Sequence, residues 1–244
     1  MANECSICAG RGVITRWEGA YQIAEVCVCT KDEHLDSRLL DILPEKFAHA
    51  SLEAGEGRGT WLPGYNQKPN VKANHQEALA LCQELKTAYQ ANPKGKPGLL
   101  LSGNIGVGKT HLVCALLADL IRDGMEDIRF VEAADLQEAV KGGYGAGRED
   151  ADLRAWIQPK ILVIDDLGRS IAGKENASWA VALFTNIING RYNRQLPTLI
   201  TTNLELSAKS DWVASPFQNW AGPRMATRLK ETSKFLILNG VSCR

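Results

Sequence analysis

The feature that most constrains this 244-residue chain is the octapeptide GNIGVGKT at residues 103–110. It follows the apolar run GLLLSG and precedes an amphipathic stretch over residues 109–122, which predicts a strand, a tight loop and a helix. In that context the pattern G-x-x-x-x-G-K-[ST] predicts a loop whose backbone amides wrap a nucleotide phosphate. The predicted nucleotide-binding residues are Gly103, Asn104, Ile105, Gly106, Val107, Gly108, Lys109, Thr110 and His111.

A second motif, ILVIDD at residues 161–166, supplies acidic groups that complement the loop. Lys109 is expected to reach the β- and γ-phosphates, and the Thr110 hydroxyl is expected to ligate Mg²⁺. Asp165 would hold the same Mg²⁺, and Asp166 would act as a general base towards the attacking water. The alternative interpretation of the two aspartates is an ordinary acidic pair at a strand end.

The order of apolar segments predicts the fold class. Strands alternate with helical stretches, which is typical of an α/β fold whose parallel sheet is covered on both faces. Asn203 ends one of these strands, TLITTN, where its amide can bond the water or the γ-phosphate, although asparagine at a strand end also forms turns. The five predicted strands are GLLLSG, IRFVEA, KILVIDD, TLITTN and KFLILNG.

Together the motifs resemble those of an AAA+ ATPase: a phosphate loop, a strand ending in DDLG, a strand ending in TTN and a late RMATRL. Within that superfamily the set is similar to the DnaC/DnaI helicase loaders and their relative IstB. The resemblance covers roughly residues 40–244. It implies a five-stranded parallel sheet ordered 5-1-4-3-2, without a helical lid, and ATP bound where subunits meet.

The same resemblance gives a role to two late arginines. It implies that Arg228 is an arginine finger that reaches the neighbouring subunit's ATP, with Arg224 as a supporting interface residue. From the residues alone, the two are an i, i+4 pair on a solvated helix face.

One residue departs from the AAA+ pattern. Asp166 stands where most AAA+ ATPases have glutamate, so hydrolysis is expected to be slow. Only sixteen residues follow Arg228, which leaves room for a last strand and no lid. The absence of room for a lid favours a switch over a motor, whereas aspartate at position 166 also occurs within the loader branch.

Four of the seven cysteines lie within residues 5–29. A C-x2-C pair and a C-x-C pair, separated by eighteen residues, suit a tetrahedral Zn²⁺ site of four thiolates. A redox pair, a chance cluster and an iron–sulfur cluster are the alternatives. Between the pairs, β-prone residues interrupted at Glu18-Gly19 predict a hairpin. The predicted zinc ligands are Cys5, Cys8, Cys27 and Cys29.

Such a cysteine module resembles the N-terminal part of DnaI-like and phage DnaC-like loaders, where it docks onto the replicative helicase; IstB proteins ordinarily lack it. Its charge is near neutral to acidic, which favours a protein partner over DNA. Trp17, Tyr21 and Ile23 would form either an apolar contact face or the small core of the module.

Single-stranded DNA is a further expected partner, because loaders of this kind grip it along an ATP-bound spiral. The corresponding segments here are AVKGGYG and ENASWAV. Lys141 can neutralise a phosphate and Tyr144 can stack on a base. Trp179 is a further stacking candidate, although it opens an amphipathic helix and equally suits the core.

Composition restricts the remaining possibilities. Basic and acidic residues balance at 28 each, so any DNA contact depends on a local patch. No run approaches the ~18 apolar residues that cross a bilayer. The N-terminus lacks a signal-peptide pattern, and we expect a cytoplasmic protein. The predicted domains are a zinc module (1–40), a linker (41–74) and an AAA+ domain (75–244).

Three functions fit the sequence to different degrees. The first is an oligomeric ATPase that loads a hexameric replicative helicase onto single-stranded DNA. The second is an IstB-like helper that delivers a transposase to duplex DNA. The third, a metabolic P-loop kinase, would need an arginine-rich acceptor pocket and a closing lid, and the sequence offers neither.

Overall fold

The computed structural model describes residues 5, 7–8, 13–19, 21–53, 69–143, 149–168, 174–206 and 215–240. A two-stranded antiparallel hairpin lies in the N-terminal part, and a five-stranded sheet forms the centre of the rest. The strands are β1 Val13–Glu18, β2 Tyr21–Val26, β3 Gly98–Gly103, β4 Ile128–Glu132, β5 Ile161–Asp165, β6 Thr198–Thr202 and β7 Ser233–Leu238.

Seven helices accompany the strands in the described part of the chain. None of these helices combines the length and apolar character needed to span a bilayer. Their bounds are α1 Lys31–Ile42, α2 Pro69–Ala91, α3 Lys109–Arg122, α4 Ala133–Gly143, α5 Glu149–Ile157, α6 Lys174–Arg194 and α7 Pro216–Thr232.

The central sheet is parallel throughout and has the order β4-β5-β6-β3-β7. Numbered from β3 as the first strand, and read from β7, this order is 5-1-4-3-2. The predicted α/β fold and strand order are therefore confirmed. Because β6 lies between β3 and β5, the carboxyl ends of these three strands are neighbours at one edge of the sheet.

Alternating residues of the strands supply two cores, one on each face of the sheet. On β3, Leu99 and Leu101 pack with α2 and α3, whereas Leu100 packs with α4, α6 and α7. All three leucines are fully buried. This two-sided burial explains why the strands read as continuous apolar runs.

Part of the predicted linker packs against α3. Ala48, Ala50 and Leu52 are buried in the core on the α3 side of the sheet. Arg122 donates hydrogen bonds to the carbonyls of Ala50 (2.7 Å) and Ala48 (3.2 Å), and the Asp119 carboxylate accepts one from the Leu52 amide (3.1 Å). Residues 41–53 therefore form part of the packed structure. The rest of the predicted linker falls partly outside the described residues, and α2 begins at residue 69.

A buried arginine joins α6 to the amino ends of two strands. Arg191 is 1% exposed, and its guanidinium bonds the Thr198 hydroxyl and the carbonyls of Ile157, Pro159 and Pro197. Burial lowers the pKa of Arg191 to about 9, which still leaves it charged at neutral pH. Its N–H groups thus donate to carbonyls that precede β5 and β6, and these bonds offset the cost of burying polar groups.

We predict that Arg191→Met lowers the free energy of unfolding by about 3 kcal/mol, because three buried carbonyls lose their donor. The matched control is Arg194→Met, since Arg194 is exposed and its guanidinium bonds the Gly190 carbonyl of its own helix; it should cost less than about 0.5 kcal/mol. Urea unfolding of the two variants measures the difference. Equal destabilisation would contradict the assignment.

Candidate functional site

The phosphate-loop motif forms the turn between β3 and α3. Gly108 precedes the first residue of α3 with a φ of 97°, and Gly106 has a φ of 85°; both angles favour glycine. The amino end of α3 therefore opens onto a cavity of about 440 Å³. Its walls comprise Pro44, Lys46, Phe47, Ile105, Gly106, Gly108, Lys109, Thr110, His111, Glu132, Asp165, Asp166, Thr201 and Asn203.

Lys109 lines this cavity, and its ammonium group is hydrogen-bonded to three oxygen atoms. Its Nζ donates to the carbonyls of Gly103 (2.8 Å) and Asn104 (2.9 Å) and to Oδ1 of Asn203 (2.8 Å). Burial lowers the pKa of Lys109, and the nearby carboxylates of Asp166 and Asp165 oppose that effect. The ammonium group is thus fixed beside the amino end of α3, where a phosphate would bind.

Thr110 and Asp165 meet as the magnesium prediction requires. The Thr110 hydroxyl lies 3.0 Å from Oδ1 of Asp165, and Asp165 also accepts a short hydrogen bond from Thr201. Burial raises the pKa of Asp165, while the hydrogen bonds from Thr201 and Thr110 lower it. A hydroxyl and a carboxylate at this distance are the hard oxygen ligands that suit Mg²⁺. The donor set therefore fits the ion.

Asn203 lies between the lysine and the second aspartate. Its Nδ2 donates to Oδ1 of Asp166 at 2.5 Å, while its Oδ1 accepts from Lys109. Asp166 has a φ of 56°, and its amide donates to the Thr201 hydroxyl (2.9 Å). Asn203 therefore lies between the strand that precedes the phosphate loop and the strand that ends in the aspartates. The catalytic roles of these residues remain predictions.

One wall of the cavity was missed by sequence reasoning. Phe47, in a 3-10 turn at Glu45–Phe47, stacks on the His111 ring with 5.4 Å between centroids and 23° between planes. Pro44 and Lys46 line the same wall. The sequence signal was the proline that ends the α1 pattern, but nothing local linked it to a helix more than sixty residues later.

The two late arginines line a different cavity. Arg224 is exposed and Arg228 half-buried, and both border a cavity of about 350 Å³ that shares no residue with the nucleotide cavity. In this chain Arg228 therefore does not contribute to the wall of its own nucleotide site. That placement is compatible with the predicted action on a neighbouring subunit.

The four predicted zinc ligands converge. The sulfur atoms of Cys5 and Cys27 are 3.7 Å apart, those of Cys8 and Cys29 are 3.5 Å apart, and all four lie within 4.8 Å of one another. In a regular tetrahedron with Zn–S bonds of about 2.3 Å, the sulfurs are separated by about 3.8 Å. The cluster therefore fits a four-coordinate zinc ion.

Hydrogen bonds within the cluster favour a thiolate at its first position. Backbone amides of Cys8 and Ile7 bond the Cys5 sulfur and lower the pKa of Cys5 to about 6. Bonds with Cys8 and the other sulfurs raise the pKa of Cys29 to about 12. A dication at the centre would offset this crowding of negative charge. Four sulfur ligands leave no position for a reactive water, so the site is suited to a structural role.

The predicted hairpin between the cysteine pairs is confirmed, but its aromatic residues do not form a core. Trp17 is 71% exposed and Tyr21 78% exposed. In the register of β1 and β2, Trp17 pairs with Gln22 and Tyr21 pairs with Glu18. Because paired residues share a face, the two aromatic side chains project from opposite faces of the hairpin.

Two of the three DNA candidates lie together. The Lys141 Nζ is 5.1 Å from the centroid of the Trp179 ring, a cation–π contact between α4 and α6. Trp179 is half-buried and also packs against the core on the α6 side of the sheet. Its role as a stacking residue stays a prediction. Tyr144 lies outside the described residues.

Comparison with known proteins places these features in a family. The family model described as IstB-like ATP binding protein matches residues 70–244. A Mycobacterium tuberculosis protein described as an ATP-binding protein in an insertion sequence is 26% identical over 146 residues. This match covers 60% of the present chain and 55% of that relative, so the chain spans about half of the relative's length.

Two further matches cover more of the chain. The phage-like element PBSX protein XkdC of Bacillus subtilis is 28% identical over 205 residues, which is 83% of this chain and 73% of XkdC. The crystal structure of the DnaC helicase loader matches with a TM-score of 0.61 and 26% identity. That match covers 80% of this chain and 99% of the DnaC chain.

We predict that Cys8→Ser removes bound zinc from the purified chain, because a hydroxyl is a poor replacement for a thiolate ligand. Elemental analysis should give about one zinc per chain before the change and a loss of most of it afterwards. Cys82→Ala is the matched control, since the Cys82 thiol is fully buried in α2 and lies outside the cluster. Zinc retained by Cys8→Ser would argue against this ligand set.

Proposed function

The chain belongs to the family of IstB-like ATP-binding proteins, and we propose that within it the chain is a DnaC-like loader. In this proposal it uses ATP to deliver a replicative DNA helicase onto single-stranded DNA. The nucleotide acts as a clamp between subunits, and hydrolysis releases the loader once the helicase is in place.

The observation that carries the loader assignment is the four-cysteine cluster with its exposed hairpin. The family model matches only the ATP-binding part of the chain, residues 70–244. An ATP-binding domain of this kind is compatible with both helicase loading and transposition, so family membership alone does not separate the two. The cysteine module lies ahead of that region. It exposes the hairpin aromatic residues Trp17 and Tyr21, together with Ile7 and Val28 beside the cysteines. Apolar side chains that a small metal-held module leaves in solvent favour a protein partner. A replicative helicase is the partner that the resemblance to DnaI-like loaders implies.

The solved DnaC helicase loader supports the same assignment. It shares the present fold over nearly its whole chain at 26% identity. Helicase loading is the function printed for that protein, and its transfer to this chain is part of our proposal.

The nucleotide site supports binding followed by slow hydrolysis. Lys109 and the amino end of α3 hold the β- and γ-phosphates, and Thr110 with Asp165 would hold Mg²⁺. That ion supplies positive charge against the phosphate oxygens. Asp166 accepts a proton from the attacking water, and Asn203 keeps the Asp166 carboxylate in place through the hydrogen bond that it donates.

Arg228 completes the site of the neighbouring subunit in this proposal. Charge that develops on the γ-phosphate during hydrolysis requires a cation, and the described cavity contains only Lys46 and Lys109 as lysine or arginine residues. A guanidinium from a second copy would supply a bidentate donor. ATP turnover then depends on assembly, which is what a loading switch needs.

Single-stranded DNA would be held by the pair formed by Lys141 and Trp179. The ammonium group can neutralise a backbone phosphate, and the half-buried indole ring can contact a base. Because the chain has no net charge, only such a local arrangement can attract DNA.

A second candidate function is favoured by a separate observation. The family model and the insertion-sequence relative both favour an IstB-like helper that delivers a transposase to duplex DNA. The nucleotide chemistry would be the same, and the client protein would differ.

We predict that Arg228→Ala binds ATP like the unchanged protein but hydrolyses it at least about 10³-fold more slowly, the lower end of the range for arginine fingers. Phosphate release with single-stranded DNA and equilibrium nucleotide binding separate the two effects. Lys109→Ala, which removes the phosphate ligand, should lose binding itself. Arg194→Ala, a surface arginine on α6, is the matched control and should keep both properties. Full DNA-stimulated turnover by Arg228→Ala would reject the finger assignment.

We predict that the ATP-bound chain captures a replicative helicase, and that Trp17→Ser or Tyr21→Ser weakens capture because it removes apolar contact area. Comparing the two variants identifies which hairpin face docks. Phe235→Ser, at an exposed apolar position of β7, is the control. Mass spectrometry identifies the captured proteins. A transposase in place of the helicase would support the IstB-like alternative and reject the loader.

A further inference from the structure

A tyrosine on α6 lies directly beneath the guanidinium of Arg228. The guanidinium carbon is 4.1 Å from the centroid of the Tyr192 ring, a close cation–π contact. The Tyr192 hydroxyl donates a 2.8 Å hydrogen bond to Oε2 of Glu231, one turn further along α7. Ring and carboxylate form a platform, defined here as Tyr192 and Glu231, at the wall of the 350 Å³ cavity.

We propose that this platform positions Arg228 for insertion into the neighbouring subunit's nucleotide site. The inference rests on the proposed action of Arg228 on a neighbour and adds Tyr192 as a positioning residue. Arginine has many rotamers, and its side chain loses considerable entropy when it is fixed. If the Tyr192 ring already restricts the Arg228 side chain before assembly, less conformational entropy is lost when the guanidinium binds the γ-phosphate.

The aromatic character of the partner of Arg228 is important for this proposal. In the described part of the chain Arg228 forms no ion pair with a carboxylate, and its buried Nε has no hydrogen-bond acceptor. A carboxylate partner would compete with phosphate for the guanidinium charge. An aromatic face instead restrains the plane of the guanidinium through its quadrupole and leaves the in-plane donors for a phosphate.

Glu231 orients the platform. The hydrogen bond to Glu231 raises the pKa of Tyr192, so the phenol stays protonated and remains the donor. This bond fixes the ring from α7, the helix that also carries Arg228. Ring, carboxylate and arginine therefore form one unit across the α6–α7 contact.

Mixed oligomers of the full chain test the proposal. One partner carries Arg228→Ala, which leaves its own nucleotide site intact and removes its finger. The other carries Asp166→Asn, which disables its own site and keeps its finger. Mixing should restore hydrolysis, because each Arg228 of the second partner serves a site of the first.

Tyr192→Leu is then placed in one partner at a time. In the chain that supplies Arg228 we expect a fall in the restored kcat of about tenfold, with the KM for ATP unchanged. In the chain that already lacks Arg228 the same change should have no further effect. Tyr192→Phe, which keeps the ring, should retain most of the activity in the Arg228-supplying chain.

The outcomes separate this inference from the function on which it rests. Failure of the unmodified mixture to restore hydrolysis overturns the action of Arg228 on a neighbour and the platform with it. Restored hydrolysis that is indifferent to Tyr192→Leu, or raised by it, overturns the platform alone. An equal loss in both placements indicates a general structural role and also overturns it. If Tyr192→Leu does not fold, Tyr192→Met, which also removes the ring, replaces it, and a loss restricted to the Arg228-supplying chain is still required.

Discussion

The position of β6 between β3 and β5 is the constraint on which the nucleotide site depends. Parallel pairing brings the carboxyl ends of three strands to one edge, although the strands are far apart in the sequence. The lysine after β3, the aspartates at the end of β5 and the asparagine after β6 thereby become neighbours. A different strand order would leave the same residues without a common site, so burial of the apolar strands is also what assembles the chemistry.

The charges at that edge are balanced against each other. Burial alone would favour neutral Lys109 and neutral Asp165, yet each lies in the field of the other and each is hydrogen-bonded. Asn203 satisfies both sides at once, since its oxygen faces the ammonium group and its nitrogen faces Asp166. An aspartate or leucine at this position could not serve both neighbours. The asparagine is therefore determined by two opposite partners as well as by its predicted role towards water.

Local sequence patterns predicted the parts of this chain whose residues are close together along it. The phosphate loop, the apolar strands and the cysteine pairs can each be recognised from a few consecutive residues. The strand order was predicted from the resemblance to AAA+ proteins. Contacts between distant segments were not predictable in this way. Phe47 meets His111, and Arg122 holds the carbonyl of Ala48, only because the fold brings α3 beneath residues 41–53. Likewise Trp17 and Tyr21 project from opposite faces of the hairpin because of the register between β1 and β2. That register could not be deduced from the positions of the aromatic residues in the sequence.

In the proposed function, separation of Arg228 from the nucleotide cavity of its own chain has an energetic consequence. A finger of this kind changes hydrolysis by about 10³–10⁵-fold, so a site that receives it only from a second copy is nearly silent until subunits meet. The slow intrinsic hydrolysis that we propose for Asp166 would sharpen that contrast. Prior restraint of the guanidinium on Tyr192 would act in the same direction, since it lowers the entropic cost of each correct encounter without adding any catalysis to the isolated chain. In this proposal assembly controls turnover, and the cysteine module controls assembly because it binds the partner that brings the copies together.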